Sequence, residues 1–416
     1  MRRLTLFILL FFPFAAVYAQ YDLLPAGDLT LRMDSIQRFS FRLSGNYTAG
    51  SNAMTNKFFN SFYRGAYIDS TLKAQQFDRL VTSNVIGINL HAGLSFSWQN
   101  RKVLSVSEYV GVYQRQLILG NITSDAFRLV MDGNRSLAGK TADLGGTRAT
   151  VWNWNEAVYG LRWRNEKQRI MLAGSISFIA CNNYSAFRID QGQLYTDGLG
   201  IFIQGNVQGN LYISDSTAKF LSRPSGYGSS LSFYGEKIFG SKVEQLFYAG
   251  INDLGAVQLN EKTVQYTADT SFVYSGIDIS NAILNPDNIG ALPEAEDFYK
   301  KQSAGKITRY LPPFVFAGYR IQPASAFTAG ISLNMWIWDM IKPQTQITIG
   351  YQAMKDRIFL STGFSYGGFA AMQIPLMVKY SVKNFTVNAG SANLLAYIAS
   401  AKTSGQGLFI NTSFRF

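Results

Sequence analysis

Cysteine and histidine each occur once in 416 residues, as Cys181 and His91. A single cysteine excludes an intramolecular disulfide and a thiolate zinc cage, and a single histidine excludes a His-rich metal site. Acids are also sparse, 26 Asp and Glu against 38 Lys and Arg, for a formal charge of +12. No block of five or six like charges concentrates that excess, so it reads as scattered over loops, turns and a polar interior rather than as a nucleic-acid footprint. Long apolar runs are missing too. After the first fifteen residues nothing approaches the roughly 18 consecutive apolar residues of a spanning helix, and the mean hydropathy is only +0.01. A chain of this kind enters a membrane only as strands closed on themselves, the one other arrangement that pairs every backbone group.

The N-terminus supplies a route to such a membrane. Met1, Arg2 and Arg3 form a basic start, and Leu4 to Phe14 is apolar except for Thr5 and Pro13. Ala15, Ala16, Val17, Tyr18 and Ala19 follow, with Val17 and Ala19 at the −3 and −1 places. This layout predicts a secretory signal peptide, residues 1–19, cleaved between Ala19 and Gln20. The mature chain is then 20–416 and, having lost two Arg from +12, carries +10.

What the sequence has in quantity is period-two alternation, sustained beyond ordinary strand length. Ile86, Ile88, Leu90, Leu94, Phe96 and Trp98 alternate with Gly87, Asn89, His91, Gly93, Ser95 and Ser97 over thirteen residues. Soluble strands average about five or six residues, whereas a tilted membrane strand needs about 9–11. A greasy face and a small, polar face of that length fit lipid on one side and a hydrated lumen on the other. The pattern recurs at Phe327–Ile337, Ile347–Ala353, Ile358–Tyr366 and Met372–Val382, and earlier at Phe39–Tyr47 and Ile170–Phe178. Short polar links join several runs: Asn100-Arg101-Lys102, Asn165-Glu166-Lys167, Lys355-Asp356-Arg357 and Lys383-Asn384. These features predict an all-β, transmembrane antiparallel outer-membrane β-barrel of roughly 14–16 strands with short helical inserts.

The last run, Leu408, Ile410, Thr412, Phe414 and Phe416, ends on an aromatic at the final residue. Phe414 and Phe416 resemble the C-terminal signal by which the barrel-insertion machinery recognises its clients. Trp98 and Tyr380, on the apolar phase near strand ends, suit an interfacial aromatic girdle. Trp336 and Trp338 fall on the polar phase, which leaves two readings open, a bulge that shifts the phase or rings that line the lumen.

Three inserts break the β pattern, near 51–82, 121–147 and 279–306. Asn56 to Leu80 has Phe58, Phe62, Leu72 and Phe77 at helical spacing and predicts one or two short helices. Ser124 to Gly133 offers a Ser cap, an early acid and a closing Gly. Asn281 to Thr308 carries Pro286, Pro293 and several acids and reads as a long polar loop. Inserts of this kind plug or cover a barrel, or merely ornament its surface.

The same inserts carry a resemblance. Gly65-Ala66-Tyr67-Ile68-Asp69 with Lys73, Gly133-Asn134-Arg135-Ser136-Leu137-Ala138-Gly139-Lys140-Thr141-Ala142-Asp143-Leu144, and the strand Tyr248 to Gly255 closing on Asp253-Leu254-Gly255 look like motifs of a Bacteroidota outer-membrane family known only as a domain of unknown function. That family is distantly similar to FadL-type barrels and to the PorV-like shuttle barrels of type IX secretion. The resemblance, from about Ser35 onward, implies architecture and compartment and transfers no catalytic residue.

Little in the chain reads as chemistry. His91 lies on the polar phase, away from the lipid side where a Ser/His hydrolase would need it, so it reads as a lumen-lining residue. Asp278, Asp287, Glu294, Glu296 and Asp297 match no calcium-loop spacing and read as a solvated face. The glycines at Gly45 to Tyr47 and Gly205 to Gly209 lie in strands with no helix following, which excludes a phosphate cradle. Cys181 reads as a small apolar residue. The expectation is a non-enzymatic barrel of the cell outer membrane, without cofactor or metal, passing a small or hydrophobic solute passively. The alternative is an accessory or shuttle component of a surface-secretion assembly, with secretion-system proteins as partners beside membrane lipid. A soluble secreted β-protein is the third possibility.

Overall fold

The computed structural model describes residues 39–416 except 101, 104, 219–221, 276–298, 339–340 and 355–356. The leader with its Ala19–Gln20 junction, the acids Asp278, Asp287, Glu294, Glu296 and Asp297, and parts of the Arg101 and Asp356 turns therefore lie outside the described residues.

Fourteen antiparallel strands form the wall. They are β1 (Phe39–Ser51), β2 (Asn84–Gln99), β3 (Val106–Ile122), β4 (Arg148–Asn165), β5 (Ile170–Thr196), β6 (Gly226–Phe239) and β7 (Glu244–Leu259). They continue as β8 (Phe314–Ala324), β9 (Phe327–Trp336), β10 (Lys342–Ala353), β11 (Ile358–Gly368), β12 (Leu376–Val382), β13 (Phe385–Ser391) and β14 (Gln406–Arg415). Each pairs with the next, and β14 returns to β1 with Arg42 opposite Ser413 and Tyr47 opposite Leu408. The expected 14–16 strands resolve to 14, and closure leaves no wall edge unpaired.

The alternation does what its length demands. On β10, Ile347, Ile349 and Tyr351 are 54, 59 and 45 % exposed, whereas Gln346, just before them, is 1 % exposed. β2 behaves alike, with Leu94 and Phe96 exposed and Asn89 and His91 buried. A water-soluble sheet buries its apolar face; here most strands turn large aliphatic and aromatic side chains outward and hold buried polar residues, with some aromatics, inside. Such a surface is stable only against hydrocarbon.

The two ends differ. At the turn end the links are short, as at 166–169, 325–326 and 383–384, while all longer connections lie at the loop end. β5, at 27 residues, is too long for the wall alone. From Ser185 onward it pairs with the strand Ile203–Ile213, which in turn pairs with Val264–Tyr274, and that with Lys300–Ser303; its pairing with β4 continues to Arg188, and the residues beyond extend past the wall. The loop expected over 281–308 is thus corrected at its C-terminal end, since Lys300–Ser303 and Ile307–Tyr310 are paired strands. Prolines and acids dominated that reading, but they precede the paired part.

Helices α1 (Asn56–Tyr63), α2 (Ser70–Phe77) and α3 (Ser124–Asp132) also stand at the loop end. Thr55, Asp69 and Thr123 cap their first turns, so the α3 cap is one residue earlier than Ser124. Met54, Phe58, Leu72 and Phe127 pack together, with the Phe58 and Phe127 rings 5.5 Å apart. This cluster rests on Ile86 and Ile122, which carry the outward phase of β2 and β3. The helices therefore flank the loop end on its outer side, and α1 and α2 do not plug the lumen. A short α4 (Leu395–Ile398) lies beside α1, whose Asn56 and Lys57 amides donate to Thr403 and Ser400 carbonyls.

Candidate functional site in the barrel lumen

Small residues and aromatics share the lumen wall in matched pairs. Gly160 on β4 stands opposite Tyr109 on β3, and Gly318 on β8 opposite Tyr248 on β7. A Cβ at Gly160 would meet the Tyr109 ring at 2.0 Å, and one at Gly318 would meet Tyr248 at 2.3 Å. The rings lie flat across the neighbouring strand because the glycine leaves room for them. That arrangement packs a hydrophobic interior into β3 through β9, including Trp152, Trp154, Phe314 and Phe316.

At mid-height the lumen holds charge. Arg115 on β3 donates to both oxygens of Asp253 on β7 at 2.7 Å each, and to Glu156 on β4 at 3.4 Å. The Trp154 ring lies 4.8 Å from the guanidinium, and Trp154 Nε1 donates to Glu156 at 3.3 Å. Asp253 reaches inward because the β6–β7 register shifts between Leu231 and Phe233, turning both Asn252 and Asp253 toward the lumen. Its φ of 64° is a conformation that Asp adopts at modest cost and most residues do not. His91, on the neighbouring strand to Arg115, is 2 % exposed and meets Tyr113 edge to face at 4.9 Å. It lines the lumen and faces no lipid.

Nearer the loop end, Trp336 settles the two open readings. The β8–β9 pairing is continuous from Phe314–Trp336 to Ile321–Ala329, so no bulge shifts the phase there. Trp336 is a lumen residue, its ring 4.9 Å from Phe314 and stacked at 6.5 Å and 13° on Phe369. Trp338 also packs inward, under the Arg148 guanidinium at 5.3 Å. Phe369 crosses to the β2 wall, where a Cβ on Gly87 would meet its ring at 2.1 Å. Between these rings and the amides of Asn46, Asn89, Gln344 and Gln373 lies a cavity of about 60 Å³.

The remaining sequence candidates fall as follows. Phe414 is on the outer face, against Phe385 at 4.9 Å, and Phe416 is 72 % exposed with its amide donating to the Phe39 carbonyl. Trp98 and Tyr380 lie on the outward phase near the turn end, opposite Phe39 and Val387 in register. Cys181 is fully buried in the β5 wall, its thiol 3.8 Å from the Asn153 carbonyl. Gly205 to Gly209 lie within the strand Ile203–Ile213. Among the described residues no three His, Cys, Asp or Glu side chains come together to hold a metal ion. Sequence reading missed the Arg115–Glu156–Asp253 group, because nothing in three distant segments announces that a bulge joins them.

Residues 35–391 match a family described as a family of unknown function, DUF5723. The chain belongs to this family. No curated protein is significantly similar to it. Among solved structures, a mutant of the TodX monoaromatic hydrocarbon channel aligns over 92 % of this family member and 91 % of that chain, at 9 % identity and a TM-score of 0.46. The Pseudomonas putida toluene transporter TodX aligns over 97 % and 96 %, at 8 % identity and 0.45. A Pseudomonas aeruginosa FadL homologue aligns over 91 % and 90 %, at 10 % identity and 0.40.

Proposed function

We propose that this barrel sits in the outer membrane and passes a small or hydrophobic solute passively through its lumen. The observation that carries the reading is the inversion of burial. The outer face is apolar and exposed, and the inner face is polar and aromatic with His91, Arg115, Gln346 and Asn411 all nearly inaccessible to water. A wall of that kind has no use in solution, and its interior offers a surface for recognition. In this reading residues 1–19 are removed between Ala19 and Gln20, Phe414 and Phe416 are read by the insertion machinery, and lipid surrounds the strands. The role in this reading is non-enzymatic, which fits a lumen in which the one histidine, His91, meets the Tyr113 ring rather than a nucleophile. The test is solute uptake by proteoliposomes. Faster swelling with a small solute than protein-free vesicles supports the reading, and no difference, with the barrel correctly inserted, sinks it.

A second reading is favoured by the loop end. Phe62, Tyr63 and Tyr67 around α1 are 61, 79 and 89 % exposed at the loop end. These would suit an accessory or shuttle role in a surface-secretion assembly, the Bacteroidota type IX setting that the PorV-like resemblance implies. Affinity purification from native membranes should then return a stoichiometric protein partner.

A further inference from the structure

The cavity near the loop end has a chemistry that the ionic layer below it lacks. Its polar lining is dominated by carboxamides, Asn46 and Asn89 from β1 and β2, Asn334 and Gln344 from β9 and β10, and Gln373. The large apolar groups on it are the rings of Phe314, Trp336 and Phe369, beside Ile341 and Ala49. Among the described residues Lys342 is its one charged side chain. A carboxamide offers two donors and an acceptor without charge, so this wall is built for groups that both give and take hydrogen bonds. Carboxylates and phosphates would call for Arg forks, and pure hydrocarbons would leave the amides unpaired.

The amides divide into two sets. Gln344 donates to Gln373 at 2.9 Å, and Ser365 to Gln373 at 3.3 Å, so one side of the cavity is held by its own bonds. Asn46 is different: it is 4 % exposed, and neither its Nδ2 nor its Oδ1 has a hydrogen-bond partner. A buried amide with both ends open destabilises the fold, and native structures hold such groups where something else completes them. Asn46 points into the same space that the three rings enclose.

We infer that this cavity is a binding site for a small neutral polyol, with Asn46 as its central hydrogen-bonding group and the Trp336 and Phe369 faces against the solute's C–H surface. It rests on the lumen being the working surface and names the solute class there. A volume of about 60 Å³ holds the equivalent of roughly two waters. Anything as large as a sugar ring therefore requires Phe369 to leave its seat on Gly87. Phe369 sits in the tight turn between β11 and the strand Ala370–Gln373, which pairs back onto β11, so of the three rings it is the one outside a wall strand.

Saturation-transfer NMR on the refolded full-length protein in deuterated detergent tests this with ethylene glycol and glucose as probes and toluene as the comparison. Wild type should give saturable transfer to ethylene glycol C–H protons, reduced about ten-fold in Asn46→Leu, a loss on the scale of a hydrogen-bonding amide. Phe369→Ala should add saturable transfer to glucose. Absence of saturable transfer to ethylene glycol in wild type, or equal transfer in Asn46→Leu, overturns the site, as does toluene competing more strongly than ethylene glycol. Should Asn46→Leu fail to refold, Phe369→Ala decides: glucose binding supports the site and its absence overturns it. Binding that persists in a protein giving no vesicle uptake sinks the passage reading alone, whereas uptake without binding sinks this site alone.

Discussion

Asp253 on β7 accepts two hydrogen bonds of 2.7 Å from Arg115 on β3, a strand four places away around the barrel. Neighbouring strands stay together through their backbones, but this contact is a chord through the lumen. It depends on the bulge that turns Asp253 inward at φ 64°. A charge buried with its partner removed is costly, because neither water nor another group replaces what is lost.

Asp253→Asn keeps a residue that tolerates the left-handed conformation and removes only the charge. It should destabilise the barrel by about 3 kcal/mol, read from urea unfolding in lipid vesicles by tryptophan fluorescence. The double variant with Arg115→Met should recover part of that loss. A single variant as stable as wild type would show that the pair does not brace the lumen.

Gly160 yields a second prediction. Gly160→Val should drive Tyr109 off its seat and cost about 1–3 kcal/mol, the usual range for overpacking. Gly174→Ala is the matched control, since a Cβ there meets nothing nearer than 3.6 Å. Equal effects at both sites would contradict the flat-ring packing.

Phe369 bridges the lumen near the loop end, from beyond β11 to Gly87 on β2. Phe369→Ala should raise the rate of small-solute entry into proteoliposomes several-fold without changing folding, as judged by band shift on unboiled gels. An unchanged rate would mean that the closure lies elsewhere, at the Arg115 layer.

Asp215, in the link between the strand Ile203–Ile213 and β6, is outside the wall. The Thr217 hydroxyl at 2.7 Å holds its carboxyl below the usual range, helped by the Thr217 amide at 2.8 Å and by Asn260. A depressed value in the folded state gives stabilisation that is complete above the unfolded value near 3.9 and disappears as the pH falls through the folded one. The difference in Thr217 amide exchange between wild type and Asp215→Asn should therefore be constant from neutral pH to about 4.5 and shrink below about 4. A difference that grew on acidification would reverse the assignment.

The wall was legible before any coordinates because alternation is a local property. Ile347, Gln346 and Ile349 declare their faces without knowing their neighbours. The strand count, the short turns and the lumen position of His91 followed from the same rule. The lumen contents were not legible. Gly160 looks like any strand glycine until β3 is known to place Tyr109 opposite it, and Asp253 looks like the end of a strand until the bulge is seen. Trp336 was ambiguous for the same reason, since phase says which face a ring takes but not whether the partner strand keeps register. The strand Lys300–Ser303 was hidden because its pairing partner lies far away in sequence and its composition is polar.

Lipid contact along one strand tests the central claim most directly. Single cysteines placed at positions 346 to 351 of β10, in a Cys181→Ala background, would carry spin labels in reconstituted bilayers. Collision with oxygen should dominate at 347, 349 and 351, and stay low at 346, 348 and 350, reproducing the observed burial. High accessibility to a water-soluble nickel reagent at 347 and 349, with oxygen showing no period of two, would contradict a barrel surrounded by hydrocarbon.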